Sequence, residues 1–115
     1  MKKTKSVLLA IFGLSLVICG CSKTAAQKDY ILATGGTSGT YYPFGGAIAN
    51  IWNTKIENMN VTAQATGASA ENLRLINKGE AEFAIVQNDV MDYAYNGTDL
   101  FAGEKLTTIL TIGTM

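Results

Sequence analysis

The sequence predicts an α/β protein: a parallel sheet with helices packed on it. Three observations predict it. Short apolar runs alternate along the chain with segments of helical period. Gly-rich turns, Lys78-Gly79 and Asn96-Gly97 punctuate the alternation. The resulting order, β-α-β-α-β-α-β, joins parallel strands through right-handed crossovers.

Each element follows from its residues. Tyr30-Ile31-Leu32-Ala33 is a short apolar run that meets a Gly-rich turn, and reads as a strand. Phe44, Ile48, Ile51 and Trp52 lie at i, i+4, i+7 and i+8, one face of a helix, with Pro43 near its start, where a missing N–H costs little. Val61, Ala63 and Ala65 alternate with Thr62, Gln64 and Thr66, a strand with one polar side. Ser69 reads as the N-cap of a second helix, with Glu71 at its positive end, Leu73 and Ile76 inward and Lys78-Gly79 as the stop. Phe83-Ala84-Ile85-Val86 is apolar throughout and predicts a strand buried on both faces. Asn88 caps a third helix, with Val90, Met91 and Ala94 inward and Asn96-Gly97 as its end. Leu106–Ile112 predicts a fourth strand. The stop at Met115, directly after it, reads as a partial chain.

The N-terminus has a different character. Lys2, Lys3 and Lys5 precede an apolar run of 12 residues, Val7–Ile18, and then Cys19-Gly20-Cys21. A spanning helix needs about 20 residues, so the run fits a secretory leader over residues 1–20. The Cys-containing end resembles a bacterial lipobox, with cleavage before Cys21 and lipid, palmitate included, on the Cys21 sulfur. The mature chain then has one cysteine and no disulfide. Acyl chains would hold it to the cell membrane, facing the periplasm or the cell exterior. Residues 21–28 are small and polar, a tether, and residues 29–115 form the folded part.

Composition excludes several functions. Without the first 20 residues, the remaining 95 carry six basic and nine acidic side chains, a net charge of −3. That disfavours nucleic acid as a partner. There is no His, which removes His-based catalysis and His-ligated metal sites. Asp89 and Asp92 sit in a helix first turn, Glu80 and Glu82 read as solvated, and Arg74 has no evident role. Ser38 lacks a base and the Gly-x-Ser-x-Gly elbow. No enzyme, metal or cofactor is expected.

Ligands of open parallel sheets bind outside the carboxyl ends of the strands. Those ends are Thr34–Thr40, Thr66–Ser69 and Gln87–Asp89. Five of the twelve glycines fall between residues 35 and 46, and the helices that follow aim free N–H groups at the same edge. Gly36, Thr37, Ser38, Gly39, Tyr41, Gly67, Ser69, Gln87 and Asn88 are the candidate ligand-binding residues. Their donors suit a small carboxylate or amino acid. Competing readings exist: Gly-Thr-Ser-Gly as an ordinary turn, Ser69 and Asn88 as caps, Tyr41 and Tyr42 as core. The phosphate-binding patterns of P-loops and dinucleotide folds are absent, since no Lys occurs between Lys28 and Lys55 and no Gly-x-Gly-x-x-Gly exists.

The run from Ala33 to Ala49, Ala-Thr-Gly-Gly-Thr-Ser-Gly-Thr-Tyr-Tyr-Pro-Phe-Gly-Gly-Ala-Ile-Ala, resembles the opening signature of the TAXI family, the solute-binding subunits of TRAP transporters. Thr66–Ile76 resembles its second block, and Gly79–Val90 with Ala94–Gly97 its third. The blocks follow in order over residues 30–105. The resemblance implies the N-terminal part of a two-lobed periplasmic-binding-protein-like (type II) fold, with the second lobe beyond Met115. It implies a receptor that delivers a solute, glutamate or a related amino or organic acid, to an ion-driven TRAP permease. It also implies that Thr37–Tyr41, Gly67–Ser69 and Gln87–Asn88 line the cleft. The alternative is a ligand-sensing lipoprotein that reports to a membrane sensor.

Overall fold

The computed structural model describes residues 26–114. The leader, Cys21 and the first part of the tether lie outside the described residues. Three parallel strands form the sheet, in the order β2-β1-β3. They are β1 (Lys28–Ala33), β2 (Met59–Gln64) and β3 (Phe83–Ala84). Helices α1 (Tyr41–Lys55), α2 (Ser69–Lys78) and α3 (Asn88–Asn96) follow the strands in turn. A 3₁₀ turn covers Asp99–Phe101.

The register fixes which ends meet. Ala33 lies opposite Gln64 on one side and Ala84 on the other. All three strands therefore stop at the same edge of the sheet. β1 starts at Lys28, whose N–H donates to Asn58 O at 2.8 Å.

Two apolar clusters stabilise the fold. Leu32, Ala49, Val61 and Ile85 pack together, with Tyr30, Ile48, Trp52 and Phe83 around them. Phe83 lies 5.0 Å from Trp52 and 5.8 Å from Tyr30, centroid to centroid, in tilted contacts. The second cluster joins Leu73, Val90, Ala94, Phe101 and Leu106 across α2, α3 and the 3₁₀ turn. Arg74 closes it from outside. Its guanidinium carbon sits 4.5 Å over the Phe101 ring and its Nη2 donates to Leu100 O at 2.8 Å. The helix ends predicted at Gly79 and Gly97 are where α2 and α3 stop. Both glycines take φ +70°, the left-handed conformation that closes a helix.

Several sequence expectations are corrected. The inward face of α1 is built on Gly45 and Ala49, flanked by Ile48 and Trp52. Phe44 and Ile51 are 40% and 56% exposed. The small residue at Gly45 lets α1 come close to Leu32, Thr34 and Ile85, which a large side chain there would prevent. β3 is not buried on both faces: Phe83 and Ala84 are half-buried, because β3 is an edge strand, and only Ile85 beyond it is buried. Glu82 is not merely solvated, since its Oε2 accepts from Ile31 N–H at 2.8 Å.

The fourth strand does not form. Leu106 is buried and its N–H donates to Ala94 O at 2.9 Å, which ties it to α3 rather than to the sheet. Beyond it, residues 107–114 are irregular, with Leu110 86% and Ile112 81% exposed.

Candidate functional site

The parallel sheet brings three loops together at one edge. They are Thr34–Thr40 after β1, Ala65–Ala68 after β2 and Ile85–Gln87 after β3. A cleft of about 260 Å³ opens between them, lined by Gly35, Gly36, Gly39, Thr40, Tyr41, Ala68 and Gln87. Thr40, Ala68 and Gln87 are the N-cap residues of α1, α2 and α3, and none of the three makes a side-chain capping bond. The first turn of each helix leaves N–H groups without an intrahelical partner and carries the positive end of the helix dipole. All three N-cap residues border one cleft whose lining includes no lysine or arginine.

The first loop turns tightly, with Gly39 N–H donating to Gly36 O at 2.8 Å. A Cβ on Gly36 would meet nothing within 4 Å, whereas one on Gly39 would sit 3.2 Å from Gly36 O. Gly39 therefore serves the turn and Gly36 leaves room in the cleft. The second loop is held by its own side chains. Thr66 Oγ1 accepts from Ala68 N–H at 3.1 Å, and Glu71 Oε2 accepts from Gly67 N–H at 2.7 Å. Ala68 stands at φ 70°, ψ −153°, a region close to glycine's own. The third loop is fastened to α2, where Ser69 Oγ accepts from Gln87 N–H at 2.9 Å.

The expected residues divide accordingly. Gly36, Gly39, Tyr41 and Gln87 line the cleft. Thr37 and Ser38 are at the exposed tip of the turn, outside the lining. Gly67 is exposed and engaged with Glu71. Ser69 is 4% exposed and lies in the first turn of α2. It is a fastening between loops, not the N-cap, a place held by Ala68. Asn88 likewise is not the N-cap; it is the first residue of α3, after Gln87. It borders a broader apolar groove, of about 1370 Å³, together with Trp52, Phe83 and Met91.

Gly35, Thr40 and Ala68 fall within the loops that the sequence placed at this edge but were not singled out as candidates, nor was Thr34 at its base; Asn72, beneath the lining, was missed. Thr34 is fully buried, and its Oγ1 donates to Gln64 O at 2.6 Å. Asn72 is also fully buried. A readable signal existed for Asn72. It is a polar residue in the inward stripe of α2, between Ser69, Leu73 and Ile76, and a buried amide needs partners for every polar atom. Among the described residues no buried side-chain polar atom lacks one.

A parallel sheet with flanking helices that gathers its loops at one open edge is an α/β architecture compatible with part of a periplasmic-binding-like lobe. Residues 32–115, 84 of the 115, match the model of the NMT1-like family. The chain belongs to the NMT1-like family. An extracytoplasmic solute-binding function follows at the level of the family, whose members are typically not enzymes.

Proposed function

We propose that this chain is the N-terminal lobe of a lipid-anchored receptor of the TAXI type, which captures a small carboxylate or amino acid, glutamate-like in size and charge, and passes it to a TRAP-type permease in the membrane. One observation carries the reading. The N-cap residues of three helices border a single cleft and none makes a side-chain capping bond. Free N–H groups at helix N-termini bind a carboxylate without a basic side chain. The Tyr41 ring gives an apolar wall. A cleft of about 260 Å³ is below the ~300–1,000 Å³ usual for a small-molecule site. That size suits one wall of a two-lobed receptor, whose closure excludes water and strengthens each hydrogen bond.

The test is calorimetry and thermal shift on the two-lobed receptor with glutamate, glutamine, succinate and related acids. A solute at one hundred times its Kd is expected to stabilise the protein by about 2.7 kcal/mol. Gly36→Val is the informative variant. It fills the cleft without a neighbour within 4 Å, so affinity is expected to fall about ten-fold or more while ligand-free stability holds. Unchanged affinity would move the site elsewhere. A panel without a binder would refute the solute class.

A further inference from the structure

We infer that Asn72 is the positioning residue of the cleft, a single side-chain amide that holds the ends of all three strands in register. The inference rests on reading the cleft as the binding site. Asn72 Nδ2 donates to Thr34 O at 2.7 Å, at the end of β1, and to Ile85 O at 2.8 Å, just past β3. Its Oδ1 accepts from Thr66 Oγ1 at 2.6 Å, just past β2. Both amide protons and the oxygen are thus committed, each to a different loop. Thr66 Oγ1 in turn accepts from Ala68 N–H, so the chain of bonds reaches the cleft lining itself.

The arrangement does what the ladder cannot. The β1–β2 ladder ends at Ala33 and Gln64, and the β1–β3 ladder at Ala33 and Ala84. A few backbone bonds continue past those points: Thr34 N–H to Gln64 O, Thr66 N–H to Gly35 O, and Ile85 N–H to Ala33 O. These join the loops in pairs through β1. Asn72 connects all three at one buried point. Ser69, one turn earlier on the same face of α2, fastens Gln87. Helix α2 therefore acts as a clamp whose inward polar residues set the spacing of the loops, while Leu73 beside them serves the apolar core.

Native-state hydrogen exchange on the full chain, without ligand, tests this. Asn72→Asp keeps the shape and the acceptor but removes both donors and sets an oxygen against two carbonyls. The amides of Thr34, Thr66 and Ile85 are expected to exchange together about ten-fold or more faster. The Leu106 amide, bonded to Ala94 O in the other cluster, is expected to change little. Leu73→Ala, the control on the same helix, is expected to speed Leu106 as well. Ser69→Ala is expected to speed Gln87 alone. Uniform acceleration in Asn72→Asp, as in the Leu73 control, or unchanged exchange at Thr34 and Ile85, overturns the inference. Should Asn72→Asp not fold, Thr66→Val reads the same linkage from the other end. Faster exchange at Ile85, to which Thr66 makes no hydrogen bond, supports it, and unchanged exchange there overturns it. The exchange pattern needs no solute, so a failed solute panel refutes the proposed function and leaves the positioning result standing.

Discussion

Helix α1 carries two adjacent glycines in opposite surroundings, and they separate packing from helix propensity. A Cβ on Gly45 would fall well inside van der Waals contact of Thr34 Cγ2, with Ile85 Cδ1 at 3.4 Å and Leu32 Cδ2 at 3.5 Å. Thr34 cannot step aside freely, because it is fully buried and its hydroxyl is bonded to Gln64 O. A Cβ on Gly46 would meet nothing within 4 Å. Both positions lie inside the helix, where Ala is favoured over Gly by about 1 kcal/mol. Gly46→Ala is therefore expected to stabilise by about 0.5–1 kcal/mol. Gly45→Ala sets the same gain against overpacking of about 1–3 kcal/mol, so it is expected to be neutral to destabilising. Propensity cancels between the two, and the difference of about 1–3 kcal/mol is the packing contribution. Denaturant and thermal unfolding measure it. In a domain this small each kcal/mol moves Tm by about 4–8 °C. Equal stabilisation by both substitutions would refute the close seating of α1 on β1.

Ala68→Gly is expected to stabilise by about 1 kcal/mol by relieving the strained backbone at φ 70°, ψ −153°; a lower denaturation midpoint would argue against strain. Asn53 bonds both Val61 N–H, at 2.6 Å, and Val61 O, at 2.9 Å, along the outer strand of the sheet. Asn53→Ala is expected to cost about 1–3 kcal/mol and to open that edge to self-association, read by sedimentation velocity as a concentration-dependent mass. Arg74→Met is expected to cost about 1–2 kcal/mol through the lost ring contact and carbonyl bond. Glu104→Gln is expected to stay within about 0.5 kcal/mol in the same unfolding assay, because the ion pair is 39% and 45% exposed. Cys21→Ser is expected to release the protein from the membrane fraction, with a free Cys21 thiol in membrane-bound wild type as the contrary result.

The alternation of apolar runs and helical periods was legible because each is a local pattern. Val61, Leu73, Val90 and Ala94 were placed on apolar or inward faces from spacing alone, and they are buried. The stops at Gly79 and Gly97 were legible because a left-handed residue at a helix end has a strong glycine preference. The inward face of α1 was misjudged because periodicity weighs large apolar residues, whereas Gly45 and Ala49 are selected by the distance between helix and strand. The caps were misjudged for a related reason. Ser69 has the chemistry of a cap, but its hydroxyl is taken by Gln87 from a loop eighteen residues away, and no local pattern encodes that partner. The same holds for Arg74, whose ring partner comes from a turn that no periodicity announced.

The fate of Leu106–Ile112 shows where local propensity stops deciding. The segment is rich in Thr, Ile and Leu, and its composition is that of a strand. A strand also needs a neighbour whose free N–H and C=O groups it can meet. β3 pairs over two residues only, and Leu106 is already committed to α3 and the cluster around Phe101. Leu106 is buried in the cluster of Leu73 and Val90, and the segment does not join the sheet. The cleft does not share this weakness. Its loops follow strands that are paired at their carboxyl ends, and their spacing is set from below by Asn72 and Ser69 on α2. In this fold the edge where the three loops meet is therefore organised by a helix, through buried polar side chains, at the point where the strands themselves have stopped.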